Sequence, residues 1–247
     1  MNKVNLSNRM AAVAGLVPAG VTACDIGCDH GFVAIYLVKE GICPKVIAMD
    51  INKGPLLRAK EHIESASLSA YIDTRLSDGM EKLEIGEAEC MIAAGMGGRL
   101  VVKIMEDYPE KLRSLRYLVL QPQSELSLVR SFLRKQRFVI RKEDMILEDG
   151  KFYPMMLVEV AADESPRCHE DGVGEKEAAY RTSLEDEFGP CLIRDRHPVL
   201  FKYLDWWEMQ QDKILNAVLT YPERRAQVEE ELARIWDVRR LLDEVRG

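Results

Sequence analysis

Asp25-Ile26-Gly27-Cys28-Asp29-His30-Gly31 decides how this chain is read. The heptapeptide follows the apolar residues 21–24 and precedes the apolar run 32–38, so it lies where a buried strand gives way to a helix. Small residues at such a turn let the backbone bend sharply and bring a ligand up to the helix N-terminus, where unpaired amides point outward. The spacing is D-x-G-x-D-x-G, with glycine only at 27 and 31. A pyrophosphate wants bare amides and the three glycines of G-x-G-x-x-G. Here acids stand in the turn, and Asp25 at the strand tip suits a cationic group.

Working outward, short apolar runs at 21–27, 45–51, 70–76, 89–95 and 116–121 predict five buried strands. Helix-like segments at 32–40, 54–66, 97–107 and 124–136 separate them, and apolar spacing at Leu6, Met10, Val13, Ala14 and Val17 predicts a helix before the first strand. A repeated strand-then-helix rhythm implies a parallel sheet covered on both faces. The rhythm breaks after residue 136. Residues 138–147 and 151–161 flank Asp149-Gly150, a hairpin signal, so two antiparallel strands should close the sheet. Five parallel strands ended by a hairpin is the element order of class I methyltransferases, a Rossmann-like α/β fold. Residues 161–175 read as a polar linker. Beyond it, residues 176–188, 199–219 and 223–246 predict helices, the last two forming an antiparallel coiled coil. Its stripes are Leu200, Leu204, Trp207, Gln211, Ile214 and Val218 against Val228, Leu232, Ile235, Val238, Leu242 and Val245. The expected domains are 1–162 and 163–247.

Net charge is −7, but it is not evenly spread. Residues 1–160 hold 21 of the 34 Lys and Arg and 21 of the 41 Asp and Glu, so the acidic excess lies wholly in the tail. Six cysteines without a CxxC pair read as buried free thiols, and no metal site is expected. No apolar run approaches the ~20 residues of a membrane span, and the first ten residues lack a signal-peptide layout. A cytoplasmic location is the expectation.

Two more acids fall at successive strand ends, Asp50 after the second and Asp78 of Ser77-Asp78-Gly79 after the third. In such folds ligands bind at these ends. S-adenosylmethionine (SAM) fits the set: Asp25 for the ammonium, Asp50 for the ribose hydroxyls, Asp78 for the adenine amine, with Gly79 leaving room for the ring. The cofactor-facing set is then Asp25, Gly27, Cys28, Asp29, His30, Gly31, Asp50, Ile51, Asp78, Gly79, Gly95 and Met96. The fourth strand ends in Ala94-Gly95-Met96-Gly97-Gly98-Arg99. Methyltransferases acting on amino groups usually carry an Asn/Asp-Pro-Pro-aromatic loop there. A bare glycine loop suits a ring nitrogen, which already has its lone pair and needs no deprotonation.

DIGCDHG, AMDINKGPLLRA, SDGMEKL, AAGMGG, LVLQPQSELSLVRSFL, EDGKFYPMM and FGPCLIRDRHPVLFKYL together resemble the signatures of the bacterial tRNA (adenine-22) N1-methyltransferase family. The resemblance spans essentially the whole chain. It implies methyl transfer from SAM to N1 of an adenine in the tRNA D-arm, with tRNA as partner. From the sequence itself no membrane association is expected and no obligate protein partner is evident. Candidates for the chemistry are Asp29, His30 and Gly95; His30 is equally readable as a helix-start residue. Candidates for holding tRNA are Arg9, Gly97, Arg99, Gln121, Pro122, Arg130, Arg134 and Arg137, and the alternative for Arg9 is a surface ion pair. Other readings remain open: another RNA or a small molecule as acceptor, a dinucleotide-dependent oxidoreductase, or a non-catalytic RNA-binding protein.

Overall fold

The computed structural model describes residues 6–160, 174–217 and 221–244. The chain forms two compact units, Met1–Arg167 and Cys168–Gly247.

The first unit begins with α1 (Asn8–Gly15), capped by Ser7, whose hydroxyl accepts from the Met10 amide. Strands β1 (Ala23–Ile26), β2 (Val46–Asp50), β3 (Ile72–Leu76), β4 (Cys90–Met96) and β5 (Tyr117–Pro122) follow. Helices α2 (Phe32–Lys39), α3 (Lys53–Ser65), α4 (Gly98–Asp107), α5 (Pro109–Ser114) and α6 (Leu126–Lys135) lie between them, and β6 (Val139–Glu148) and β7 (Lys151–Glu159) end the sheet. The strand order is β3-β2-β1-β4-β5-β7-β6, parallel from β3 to β5 and antiparallel thereafter. This is the parallel sheet with a closing hairpin that the rhythm of the sequence predicts.

The central strands are covered on both faces, which is why they are continuous apolar runs and not alternating ones. Cys24, Ile26, Ile47 and Met49 pack with Val101, Met105, Val129 and Phe132 of α4 and α6 on one face. Ala23, Val46 and Ala48 pack with Val13, Leu37 and Ile63 of α1, α2 and α3 on the other. Edge strand β3 is partly exposed along its length. At the hairpin, Glu148 pairs with Lys151, and both Asp149 (φ 49°) and Gly150 (φ 74°) are left-handed. Two left-handed central residues make the turn type I′, whose twist matches the strands.

Helix α5 was not anticipated; Pro109 opens it, its fixed φ suiting a first helical position. A bulge also interrupts the β4–β5 register between Ala94 and Met96, where Gly95 turns left-handed (φ 79°).

In the second unit α7 (Glu175–Phe188) and the short α8 (Pro190–Arg194) precede α9 (Pro198–Ala217) and α10 (Pro222–Glu244). Arg196–Asp243 and Asp205–Arg239 ion pairs and a Trp236–Glu208 hydrogen bond run in opposite order along the chain, so α9 and α10 are antiparallel. Leu200, Leu204 and Gln211 are buried on α9 and Val228, Leu232, Ile235, Val238 and Leu242 on α10. Trp207 and Ile214 are half-buried, and Val218 and Val245 lie outside the described residues. Among the described residues no helix is long and apolar enough to cross a membrane.

Candidate functional site

The three acids converge because β1, β2 and β3 are adjacent and parallel. After Ile26 the chain hooks onto β2: the amides of Gly27 (2.8 Å) and Cys28 (3.0 Å) both donate to the Met49 carbonyl. Gly27 (φ 72°), Asp29 (φ 47°) and Gly31 (φ 70°) are all left-handed. That conformation is easy for glycine and uncommon for other residues, with Asp among the more tolerant. Gly31 is needed twice over, since a Cβ there would lie 3.1 Å from the Ala59 Cβ of α3.

Asp50 is buried, and its two carboxylate oxygens accept from the amides of Asp29 (3.3 Å) and Asn52 (2.8 Å). The acid is thus oriented by backbone from two segments. Asp25 is 5% exposed. Burial, and then the neighbouring Asp50 charge, push its carboxyl up to about 7. A buried acid beside a second acid costs free energy whenever it ionises, and a bound cation removes that cost. Burial likewise holds the Cys28 thiol well above its ordinary range, so Cys28 is no nucleophile.

Asp78 is exposed at the tip of β3, beside a turn held by the buried Ser77 hydroxyl, which donates to the Gly79 carbonyl (2.9 Å) and accepts from the Lys82 amide (3.1 Å). Gly79 corrects the expectation. A Cβ there would meet Ile104 at 3.1 Å and Tyr108 at 3.5 Å, so its missing side chain makes room for α4 and not for a ligand ring. Ile51 is exposed just beyond Asp50.

The glycine loop after β4 reaches the same edge. A Cβ on Gly27 would lie 2.4 Å from the Met96 Cε, so the Met96 side chain lies directly over the β1 turn. Gln121, fully buried at the end of β5, accepts at Oε1 from Arg9 Nη1 (2.8 Å) and from the Gly95 amide (3.2 Å), and its Nε2 donates to the Pro122 carbonyl (3.4 Å). Arg9 therefore reaches this edge from α1 and is tied to the loop. Its guanidinium lies 5.3 Å from the Tyr153 ring centroid and makes no ion pair among the described residues. Tyr153 was missed, although it stands in the FYPMM stretch; only the antiparallel insertion of β7 beside β5 brings it here. Gly98 fits tightly under the following segment, where a Cβ would sit 2.4 Å from the Ser124 carbonyl oxygen. Gly97, at the start of α4, faces the Ser124 hydroxyl.

The remaining expected tRNA contacts divide. Arg130 is overturned: it is buried on α6 and paired at 2.8 Å with the buried Glu143 of β6, so it cannot face a phosphate. Arg99 is paired with Glu125 but stays largely exposed. Arg134 and Arg137 are exposed, and so are Lys135 and Lys142. Among the described residues no cluster of three or more His, Cys, Asp or Glu could hold a metal ion.

Residues 6–156 match the family model of a methyltransferase domain. The tRNA (adenine(22)-N(1))-methyltransferase of Bacillus subtilis is 32% identical over 99% of this chain and 98% of its own length. A crystal structure of the Bacillus subtilis m1A22 tRNA methyltransferase superposes with a TM-score of 0.76 at 30% identity, covering 99% of this chain and 100% of that one. A putative tRNA (m1A22) methyltransferase of Streptococcus pneumoniae, solved in complex with S-adenosyl-L-methionine, gives 0.79 at 28% identity over 95% of this chain and 99% of that one.

Proposed function

Because the chain belongs to the tRNA (adenine(22)-N(1))-methyltransferase family, we propose that it methylates N1 of adenine 22 in the D-arm of tRNA, with SAM as donor. The observation that carries the reading is the pair of buried acids, Asp25 and Asp50, at a left-handed turn with no cationic partner within ion-pair distance among the described residues. A ligand bearing an ammonium and a ribose answers both. SAM supplies the methyl group as a sulfonium.

Asp25 ionises on binding and balances the ammonium. Asp50, with its carboxylate already oriented by the amides of Asp29 and Asn52, accepts from the ribose hydroxyls. Asp78 accepts from the cofactor's adenine amine. Gly27, Cys28, Asp29, His30 and Gly31 shape the turn around it, with Ile51 and Met96 as its apolar walls.

The target adenine must leave its stack to reach this edge. Its N1 attacks with its own lone pair, forming the N–CH3 bond as the S–CH3 bond breaks, so no side chain has to remove a proton first. The chain's task is to position the base in line and exclude water. The methylated ring gains positive charge, which the backbone carbonyls of Gly95–Gly97 and the Asp29 carboxylate offset from the N6 side. Gln121 fixes the loop through the Gly95 amide, and Pro122 closes the strand end behind it. Arg9 meets the backbone of the extruded nucleotide. Arg99, Arg134 and Arg137 meet flanking phosphates. A tRNA substrate places the work in the cytoplasm.

The test is transfer of labelled methyl from SAM to unmodified tRNA, followed by nucleoside analysis and position mapping. Label recovered as 1-methyladenosine at position 22 supports the reading. Label at another position, or in another nucleoside, overturns it.

A further inference from the structure

Beside the cofactor turn lies a feature that reaches beyond these roles: it takes in His30 of the turn, but its other members, Phe32 and His62, have none of them. The rings of His30, Phe32 and His62 form one aromatic cluster. His30 and Phe32 are 5.6 Å apart and within 9° of parallel, Phe32 and His62 are 4.7 Å apart at 18°, and His30 and His62 are 5.7 Å apart at 27°. The cluster is not buried, since Phe32 is 44% exposed. A phenylalanine exposed on the first turn of α2 forgoes the burial that normally stabilises it.

The cluster is also held rigid. His62 Nδ1 lies 3.0 Å from the His30 carbonyl oxygen, so that nitrogen carries the proton and donates. Gly31, between His30 and Phe32, packs closely on Ala59 and Ile63 of α3. Arg58, one turn before His62, adds a half-exposed guanidinium 3.8 Å from Asp29. Flat, preorganised and partly exposed rings next to a cation are what unpaired nucleobases stack on.

We propose that the His30–Phe32–His62 surface is a stacking platform for an unpaired nucleobase of the tRNA, next to the methyl-transfer site. The proposal rests on the reading of tRNA as substrate. Extruding an adenine breaks the stacking of its neighbours, and a platform beside the cofactor turn restores a partner to one of them. Arg58 stands where the phosphate of that nucleotide would come.

The experiment compares the full-length wild type with Phe32→Ala, Phe32→Leu and Phe32→Trp. tRNA binding is read by filter retention, methylation by labelled SAM, and SAM affinity by calorimetry. Loss of one base–aromatic stack is expected to weaken tRNA binding by roughly 5- to 100-fold in Phe32→Ala. Phe32→Leu, apolar but not flat, should behave like Phe32→Ala, while Phe32→Trp restores binding and SAM affinity stays at the wild-type value throughout. Three results overturn the platform: wild-type tRNA binding by Phe32→Ala, full rescue by Phe32→Leu, or a parallel loss of SAM affinity, which would make the rings part of the cofactor site. A wild type that fails to methylate tRNA removes the substrate reading itself, a result distinct from a wild type that methylates while Phe32→Ala is unaffected.

Discussion

The sheet edge of the first unit and the helical unit treat charge in opposite ways, although elsewhere in the first unit cations such as Arg75, Arg116 and Arg130 are paired with carboxylates too. At the sheet edge, Asp25 and Asp50 are buried side by side with no ion-pair partner among the described residues, and the Arg9 guanidinium has a neutral glutamine and a tyrosine ring for company. In the helical unit cation after cation meets a carboxylate of its own: Arg194 with Asp195, Arg225 with Glu229, Arg234 with Glu187, Arg239 with Asp205 and Glu208, and Arg240 with Asp237. Charges satisfied internally make a stable surface but offer little to a ligand. Charges left unsatisfied destabilise the free protein, and a ligand of the right sign recovers that cost. The unpaired acids fall in the first unit, within residues 6–156, the part of the chain that matches the methyltransferase-domain model.

The largest expected effect sharpens the contrast from within that unit. Arg130→Ala removes the guanidinium that the buried Glu143 pairs with, and breaking a buried ion pair costs about 3–5 kcal/mol. Thermal denaturation should show a large drop in melting temperature, against which loss of an exposed tRNA contact would show almost none. Next comes Arg9→Ala, expected to lower kcat/KM for tRNA by roughly 10- to 100-fold, the range for losing a charge-assisted contact of ~1.5–3 kcal/mol. SAM affinity should not change. An equal loss of SAM affinity would place Arg9 in the cofactor site.

The pH dependence follows from Asp25, whose carboxyl is raised to about 7 by burial and the Asp50 charge. Below that pH it is neutral in the free protein and must lose its proton to hold an ammonium. SAM affinity should therefore climb by up to about tenfold per pH unit up to about 7 and then level off. Stability has the opposite sign. Because the folded value exceeds the unfolded one of 3.8, this group's contribution is full below 3.8 and is lost as pH rises through about 7. Asp25→Asn should thus raise the melting temperature of the SAM-free protein at pH 8, by ~3–8 °C, and leave it unchanged at pH 3.5. The smallest effect belongs to the other unit: Arg225→Ala removes an exposed pair one turn apart and should cost only about 0.3–0.5 kcal/mol. A loss of several kcal/mol there would break the contrast.

Sequence periodicity reaches the sheet because buried parallel strands are apolar runs and Asp149-Gly150 is a type I′ turn in both composition and backbone. It reaches the acids because a strand tip is a position along the chain. It does not reach contacts between elements distant in sequence. Arg130 reads as one more cation in a basic stretch until Glu143, on a different element, is packed against it. Gly79 reads as space for a ligand until Ile104 fills that space. Gln121 and Arg9 are joined across 112 residues, and the hydrogen bond from Arg9 replaces the surface ion pair that its composition alone would suggest. The His30–Phe32–His62 cluster is invisible in the sequence for the same reason, since α2 and α3 must pack before His62 meets the turn.

The central claim is that Asp25, a buried acid with no ion-pair partner among the described residues, receives the positively charged end of SAM. Titration calorimetry of SAM into the wild type and Asp25→Ala at pH 8 tests it most directly, with circular dichroism to establish that both are folded. The account predicts measurable binding by the wild type and none by Asp25→Ala. Wild-type affinity in the folded variant would contradict it and remove the assignment of the pocket.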